Sequence, residues 1–380
     1  MNVLRRTTLG RTRSPAGADG ELRAETVPAP DTRDETMLPK ARGQWELVWS
    51  RFKRDRVGLV CGIFVVGVLL VCFVGEPVAS RLLGHGPNDI FPMSVDADKN
   101  LLPAGPWSHV PNIHGVATVT PDMPRTLFIL GADGTLGRDL FLRVLDGGRT
   151  SLELAFAATF LALVLGTILG LASGYYGGWA DASVSRLTEF IMGFPILLFL
   201  IVFGWTVSNR LDQITLHGAI APGVFSLVAV IGVFYSFYPA RLVRSQVLSL
   251  KEQEFVEAAR MIGSSDIRIM RKHLFPHVSG SLIVYGTQLL ALTIFLEAAL
   301  AILGVGIEPG YASWGSIIAT HYGTLFGDTG ASAHYLDSRV AHAAWLIALW
   351  PTLLLFFTVL SLTLFGESVR NAFDPQGVRT

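Results

Sequence analysis

The residues of this 380-residue chain that could do chemistry are few and scattered. His273 and His277 stand four apart, a spacing that on a helix would place two metal ligands on one face. Pro276 lies between them, so a helix is not expected to continue there, and no third ligand is evident. A metal site is therefore not expected. The sequence also lacks the GxxxxGK[ST] phosphate loop, the HExxH zinc motif and the GxSxG nucleophile elbow.

The composition is that of a membrane protein. Apolar residues make up 51% of the chain and charged residues 16%, with a mean hydropathy of +0.47. Basic and acidic residues cancel at 30 each, so bulk charge does not indicate a nucleic-acid partner. Cys61 and Cys72 lie in one apolar run, about 16 Å apart along a helix, which excludes a disulfide or a shared metal between them.

Six apolar runs are long enough, or nearly so, to cross a hydrocarbon core, which takes about 20 helical residues. They cover residues 57–74, 152–176, 190–206, 219–240, 281–305 and 343–365. The sequence therefore predicts an all-α membrane protein with six transmembrane helices. The last five would form a core over residues 152–365.

Basic residues indicate which side is cytoplasmic. Residues 40–56 hold six Lys and Arg and residues 241–280 hold seven, whereas residues 306–342 hold Arg339 alone. We therefore predict that both termini and the 241–280 loop are cytoplasmic. Three arginines shortly before residue 152 disagree, but they end a long outer loop, and long loops carry little weight in this rule.

The segments outside the core differ in character. Residues 1–43 mix charges of both signs with Pro and Gly and predict a disordered cytoplasmic tail. Residues 44–56 have apolar residues at helical spacing and predict an amphipathic helix on the membrane lipid surface, with a helix packed on a soluble core as the alternative. Residues 75–151 would form a proline-rich extracytoplasmic loop, and residues 366–380 a second cytoplasmic tail.

Glu297 is an ionisable residue in the middle of the fifth predicted span. Such residues face the interior of a helix bundle and are candidates for a functional site, so Glu297 is a candidate for a translocation path. The alternative is a neutral glutamate that is hydrogen-bonded to a neighbouring helix.

The loop between the fourth and fifth spans contains the most informative stretch, EFVEAARMIGSSDIRIMRKHLFP at residues 254–276. Apolar residues at i, i+3, i+4 and i+7 predict a first helix with one stripe: Phe255, Ala258, Ala259 and Ile262. Gly263 stands where that helix would end in the left-handed conformation. Ser264 or Ser265 can begin a second helix, which is expected to end at Pro276.

Two interpretations of this helix–turn–helix compete. A DNA-reading motif has a similar pattern, but a short loop tethered to the membrane at both ends could not easily enter a major groove. The other interpretation is a helix that docks into a groove of a cytoplasmic partner through its apolar stripe.

The same residues resemble a known family. Glu257-Ala258-Ala259, then Gly263, then His273-Leu274-Phe275-Pro276 are similar to the EAA loop (EAAxxxG, nine residues, IxLP) of permease subunits in ABC-type importers. The chain departs from that pattern at His273, where the family has Ile, and at Phe275, where it has Leu. Further segments over residues 45–377 resemble the C-type permease of dipeptide and oligopeptide importers: Gly148-Arg149-Thr150-Ser151-Leu152, Leu296-Glu297-Ala298-Ala299-Leu300 and Ser313-Trp314-Gly315.

The resemblance implies a permease in a prokaryotic inner membrane that couples closure of ATPase subunits to opening of a translocation path. It implies as partners a second homologous permease, two ABC ATPase subunits, which use the ATP, and an extracytoplasmic solute-binding protein. This chain would bind no cofactor and would not be an enzyme. The coupling residues would be Phe255, Glu257, Ala258, Ala259, Gly263 and Pro276.

Di- and oligopeptides are the substrates that this resemblance implies, with nickel, opines and peptidoglycan fragments as alternatives in the same subfamily. An intramembrane enzyme would need a convergent polar site, and the spans offer Glu153, Glu297 and scattered Ser and Thr. A secondary transporter would be expected to show repeated broken helices and more polar groups at the midplane. Neither rival accounts for the helix–turn–helix loop.

Overall fold

The computed structural model describes residues 44–96, 102–111, 125–211, 223–307, 310–325 and 338–373. The predicted tail at 1–43 and the end of the second tail, 374–380, lie outside them. Thirteen α-helices occur in these ranges: α1 Gln44–Phe52, α2 Arg56–Leu70, α3 Glu76–Leu83, α4 Leu140–Tyr176, α5 Gly178–Gly193, α6 Ile196–Leu211, α7 Val224–Tyr235, α8 Phe237–Leu250, α9 Glu254–Met261, α10 Asp266–Ile269, α11 Phe275–Ile302, α12 Trp314–Leu325 and α13 Ser338–Phe373.

Membrane crossing is possible for five continuous helical stretches of the described chain: Arg56–Leu83, Leu140–Tyr176, Val224–Leu250, Asp266–Ile302 and Leu346–Phe373. A sixth crossing results if α5 and the first part of α6, which are bent by 92°, count as one broken span. Helices suit a bilayer because they satisfy their own backbone hydrogen bonds. The predicted all-α membrane fold is confirmed, and six crossings are reached when the bent pair is included.

The third predicted span, 190–206, is divided between two helices. α5 ends at Gly193, Phe194 is extended with φ −98° and ψ 150°, and α6 begins at Ile196. Pro195 causes the break, because the residue before a proline is pushed out of the helical conformation. The prediction of one continuous helix is therefore wrong for this run.

The predicted helix end at Pro276 is also wrong. Helical structure is continuous over Asp266–Ile302. A π-helical turn at Met270–Leu274 precedes α11, and the Phe275 N–H bonds to the Met270 carbonyl, five residues back. Pro276 then lies in the first turn of α11, where its missing N–H costs no helical hydrogen bond. The wider turn lets the helix pass the proline.

α4 begins at Leu140, well before the predicted start of the second span at residue 152. Asp139 sets this start, since its carboxylate accepts the N–H of Phe141 at 2.8 Å and of Leu142 at 3.4 Å. The first turns of α4 therefore lie within the predicted outer loop, and the same helix continues into the predicted membrane-spanning core.

Three glycines bring α4 close to α8. Gly166, Gly170 and Gly174 stand on one side of α4, and a Cβ added to them would come within 2.5, 2.6 and 2.8 Å of α8 atoms. Such distances exclude any side chain without movement of a helix. Small residues at this spacing let two membrane helices pack backbone to backbone. The α4–α8 contact is thus set by the glycine spacing.

α1 lies against the end of α13. The Phe52 ring meets the Phe365 ring edge-on at a centroid distance of 5.6 Å, while Trp49 on the same helix is exposed. Asp55 then begins α2 by accepting the N–H groups of Val57 and Gly58 at 3.0 and 3.3 Å. The position of α1 on a membrane surface stays a prediction.

The segment between α3 and α4, which the sequence predicts on the outer side, forms a small layer that we call the outer layer. Its described part holds three two-stranded antiparallel sheets: Val95–Asp96 with Leu102–Pro103 (β1, β2), Ser108–Pro111 with Arg125–Phe128 (β3, β4), and Ala132–Asp133 with Arg138–Asp139 (β5, β6). A small apolar core supports it, formed by Phe91, Val110, Phe128 and Ala132. The predicted outer loop is therefore partly ordered.

Buried ion pairs fasten this layer to the helices. Asp133 pairs with Arg143 of α4 at 2.5 Å and with His321 of α12 at 2.6 Å. Burial disfavours the charge of Asp133, but the His321 hydrogen bond and the neighbouring arginines outweigh it and lower its pKa. The layer therefore contacts both α4 and α12 through one ionised carboxylate.

The predicted orientation can be checked by labelling. Single cysteines replacing Arg260 and Trp107, both exposed, should react with impermeant reagents from opposite sides of the membrane, in a chain whose Cys61 and Cys72 are replaced. Val110 is buried and would be a poor probe position. Labelling of both positions from the same side would contradict the predicted topology.

The outer layer should lose stability as the pH rises. Burial alone would lower the pKa of His85, but its hydrogen bonds to Asp139 and the Leu83 carbonyl outweigh burial and raise the pKa above 6.5. The stability contributed by the charged ring is fully present below pH 6.5 and is lost as the pH rises through the raised pKa. The apparent melting temperature of the purified chain should therefore fall between pH 6 and pH 9. His85→Gln should remove this dependence, and an unchanged slope in that variant would contradict the assignment.

Candidate functional site

The inner side of α9 packs on its own chain. Val256 and Ala259 are buried in an apolar cluster with Tyr175 of α4 and Val247 of α8, and Phe255 is partly buried against it. Two of the predicted coupling residues, Phe255 and Ala259, thus hold α9 in place.

The outer side of α9 faces away from the chain. Glu257 and Ala258 are exposed, and Met261 and Ile262 expose 83% and 82% of their surface. We call these four residues the α9 outer face. The predicted stripe is therefore divided between two sides, because Ile262 follows the last helical residue and does not continue the stripe inward. Met261 was not singled out from the sequence.

Gly263 ends α9 as predicted. Its φ is +79°, in the left-handed region. The Gly263 N–H bonds to the Arg260 carbonyl at 2.9 Å, and the Ser264 N–H bonds to the Ala259 carbonyl at 3.0 Å, which is the Schellman pattern. The chain turns sharply there and begins α10 at Asp266, with Ser265 as the flanking residue.

Polar contacts fix the loop to the ends of the neighbouring helices. The Tyr175 hydroxyl at the end of α4 donates to Asp266 at 2.7 Å, and the Arg260 guanidinium lies 5.3 Å from the centre of the Tyr175 ring. Lys251 donates to the Gly174 carbonyl at 3.0 Å. Displacement of α9 or α10 would therefore be transmitted directly to α4.

A salt bridge secures α8 on the same side. Arg244 of α8 forms a bidentate pair with Asp181 of α5. Neither residue was identified from the sequence, since nothing local marks them as partners.

The two histidines and Pro276 lie beside the loop. The His277 ring is 5.2 Å from the Phe255 ring, and Pro276 is exposed at the start of α11. In the described ranges, no three His, Cys, Asp or Glu side chains gather where they could hold a metal ion.

Glu297 lies far from this loop, inside the helix core. It is 0% exposed, and its two carboxylate oxygens accept hydrogen bonds from Ser313 at 2.7 Å and from Ser151 at 3.0 Å. Glu297 therefore borders no open space in this chain, and its role in a translocation path stays a prediction. Its serine partners were missed because they are distant in sequence.

Two family models match this chain, and together they cover most of its length. Residues 135–377 match the family described as binding-protein-dependent transport system inner membrane component, and residues 43–103 match the N-terminal TM domain of oligopeptide transport permease C. The chain is similar to the glutathione transport system permease protein GsiD of Pectobacterium atrosepticum, at 28% identity over 347 residues, which is 91% of this chain and 95% of that protein. GsiD of Escherichia coli is 28% identical over 337 residues, 89% of this chain and 92% of that protein.

Among solved structures, an inward-facing form of the MetNI methionine ABC transporter superposes with a TM-score of 0.41 at 20% identity, covering 61% of this chain and 96% of that one. The family match covers well over half of the sequence, including every residue of α4 to α13. The chain therefore belongs to the family of binding-protein-dependent transport system inner membrane components, the permeases of ABC importers.

Proposed function

We propose that this permease imports small peptides and that its α9 outer face docks on a cytoplasmic ATPase subunit whose closure opens the translocation path. The observation that carries the docking proposal is the α9 outer face itself. Met261 and Ile262 leave most of their surface in solvent at the tip of an ordered loop. Burial of one such side chain stabilises a contact by about 1.5–3 kcal/mol, so a groove that covers both would bind firmly.

Glu257 supplies the polar part of this contact. Within the described part of the chain it forms no salt bridge, and Ala258 beside it has no bulk to keep a partner away. A basic side chain in the partner's groove would therefore find an unpaired carboxylate at a position that becomes desolvated on docking. Loss of one member of such a pair costs about 2–5 kcal/mol.

The attachment of α9 supports a mechanical role. The inner side of the helix packs on α4 and α8 through Val256 and Ala259, and Asp266 at the start of α10 accepts a hydrogen bond from Tyr175. A force on the α9 outer face would therefore reach α4, α8 and α11 together. In this proposal the chain transmits the movement of its partners to the membrane helices, and the partners hydrolyse the ATP.

The names of the similar proteins support a peptide cargo. Both GsiD proteins are glutathione transport permeases, and glutathione is a small peptide. The family description supports a soluble binding protein that delivers the cargo on the outer side. We infer a second permease chain beside this one, and we place both termini on the cytoplasmic side.

Reversal of the Glu257 charge should break the contact. Glu257→Arg should reduce retention of co-expressed ATPase subunits by more than tenfold and abolish uptake, because the partner's basic group would face a like charge. Retention in pull-downs and stimulated ATP hydrolysis measure the effect.

Matched controls separate docking from general damage. Glu367→Arg makes the same charge change at an exposed position of α13 and should leave retention unchanged. Met261→Asp should resemble Glu257→Arg, because it removes apolar surface from the same face. Normal retention and uptake in Glu257→Arg would show that the carboxylate is merely solvated there.

Gly263 should tolerate asparagine better than valine. No described atom lies within 4 Å of a Cβ added there, so the cost of substitution is backbone strain alone. At a φ of +79° the strain is about 1–2 kcal/mol for a β-branched residue and smaller for Asn. Gly263→Val should weaken ATPase retention with normal membrane insertion, whereas Gly263→Asn should stay close to wild type. Equal behaviour of the two variants would contradict this account of the turn.

A further inference from the structure

Glu297 is the meeting point of three distant parts of the chain. Ser151 of α4 and Ser313, which immediately precedes α12, both donate to its carboxylate. Gly315 in the first turn of α12 lies against the same group, since a Cβ added to it would come within 2.8 Å of a Glu297 carboxylate oxygen. The three segments that resemble the peptide-permease family outside the loop, around residues 151, 297 and 314, therefore converge in space.

Backbone N–H groups hold both serine hydroxyls in place. The Ser151 oxygen accepts the Trp314 N–H at 3.1 Å, and the Ser313 oxygen accepts the Ser316 N–H at 2.9 Å. Each hydroxyl hydrogen is then available for Glu297. Glu297 therefore accepts a hydrogen bond on each carboxylate oxygen from a serine that the backbone already positions.

The N-terminus of α12 lies beside the Glu297 side chain. Across the described chain, no Lys, Arg or His forms a salt bridge with Glu297. The first turn of a helix carries about half a positive charge on its free N–H groups, and Glu297 lies against that turn, since a Cβ added to Gly315 would come within 2.8 Å of its carboxylate. The Glu297 side chain therefore lies at the start of α12 although it belongs to α11.

We call the contact of Glu297 with Ser151, Ser313 and the start of α12 the Glu297 joint. Close packing makes this joint stiff. A Cβ on Gly315 would lie 2.7 Å from the Ala298 Cα, and a Cβ on Gly148 would lie 2.7 Å from the Trp314 ring. Trp314 is fully buried, and its indole N–H donates to the Val144 carbonyl of α4 at 2.9 Å. The start of α12 can therefore move only if α11 and α4 move with it.

We propose that Glu297 is the positioning residue that transmits movement of α11 to α12 and the outer layer. This inference rests on the proposed function, because the movement begins at the docked loop. Asp266–Ile302 is one continuous helical stretch, so about 45 Å of rigid helix separate Asp266 from Glu297. Beyond the joint, His321 of α12 pairs with Asp133 of the outer layer at 2.6 Å. A side chain that offers one acceptor oxygen instead of two at position 297 would weaken the connection between α11 and α12.

The test uses Glu297→Gln, which keeps the size of the side chain but replaces one acceptor oxygen with a donor. The matched control is Glu153→Gln on the exposed side of α4, where the glutamate forms a surface pair with Arg149 at 2.8 Å. Ser313→Ala, which removes one donor, serves as the milder variant if Glu297→Gln does not assemble.

The first measurement needs no partner. Amide hydrogen exchange in residues 314–316 should be at least tenfold faster in Glu297→Gln than in the wild type, and unchanged in Glu153→Gln. If the amide exchange rate of residues 314–316 stays at the wild-type value in both Glu297→Gln and Ser313→Ala, Glu297 does not hold the start of α12.

The second measurement uses the importer assembled with its ATPase subunits. One distance is measured between spin labels at Thr320 and Leu82, on the predicted outer side. A second distance is measured between spin labels at Lys272 and Glu367, beside the loop. All four positions are exposed. ATP should change both distances in the wild type. In Glu297→Gln the outer change should fall by more than half while the change beside the loop persists.

The other outcomes are decisive in different ways. A wild-type outer change in Glu297→Gln, or loss of both changes in an assembled complex, would overturn the transmission role. Absence of any ATP-driven change in the wild type would contradict the proposed function instead, and the exchange measurement would still decide whether the joint exists.

Discussion

The close packing of α4 against α8 is the contact on which the other elements depend. Gly166, Gly170 and Gly174 allow it, because a side chain at any of them would collide with α8. In a bilayer, lipid tails are as apolar as the helices, so backbone approach and van der Waals contact stabilise the association. The same two helices provide the surface on which α9 packs, through Tyr175 and Val247. The position of the α9 outer face thus follows from three glycines in a membrane helix.

Polar groups are concentrated where separate layers meet. Asp133 connects the outer layer to α4 and α12, Arg244 connects α8 to α5, and Glu297 connects α11 to α4 and α12. Asp133 and Glu297 are buried, and because a buried polar group is costly without partners, both are paired. Apolar packing gives the bundle its stability, whereas these directional contacts determine which elements move as one body.

The sequence predicted the features that depend on local physics. Apolar runs located the spans because bilayer thickness fixes their length, and Gly263 was assigned its left-handed conformation because few other residues adopt it. Local patterns did not predict which side of α9 packs on the chain and which side is exposed. Apolar residues occur on both sides of that helix, at Val256 and Ala259 and again at Ala258 and Met261, so periodicity alone did not indicate which side packs inward. The partners of Glu297 were hidden because tertiary contacts join residues that no local pattern relates.

The π-helical turn at Met270–Leu274 has a geometric consequence for the loop. Such a turn is equivalent to one extra residue inserted in an α-helix, and each residue advances the helix by about 100°. Everything before it, α10 and the α9 outer face included, is therefore rotated about the α11 axis relative to an uninterrupted helix. The turn that accommodates Pro276 also sets the rotational phase between the α9–α10 loop tip and the rest of α11. One inserted residue therefore determines the direction in which that loop tip points.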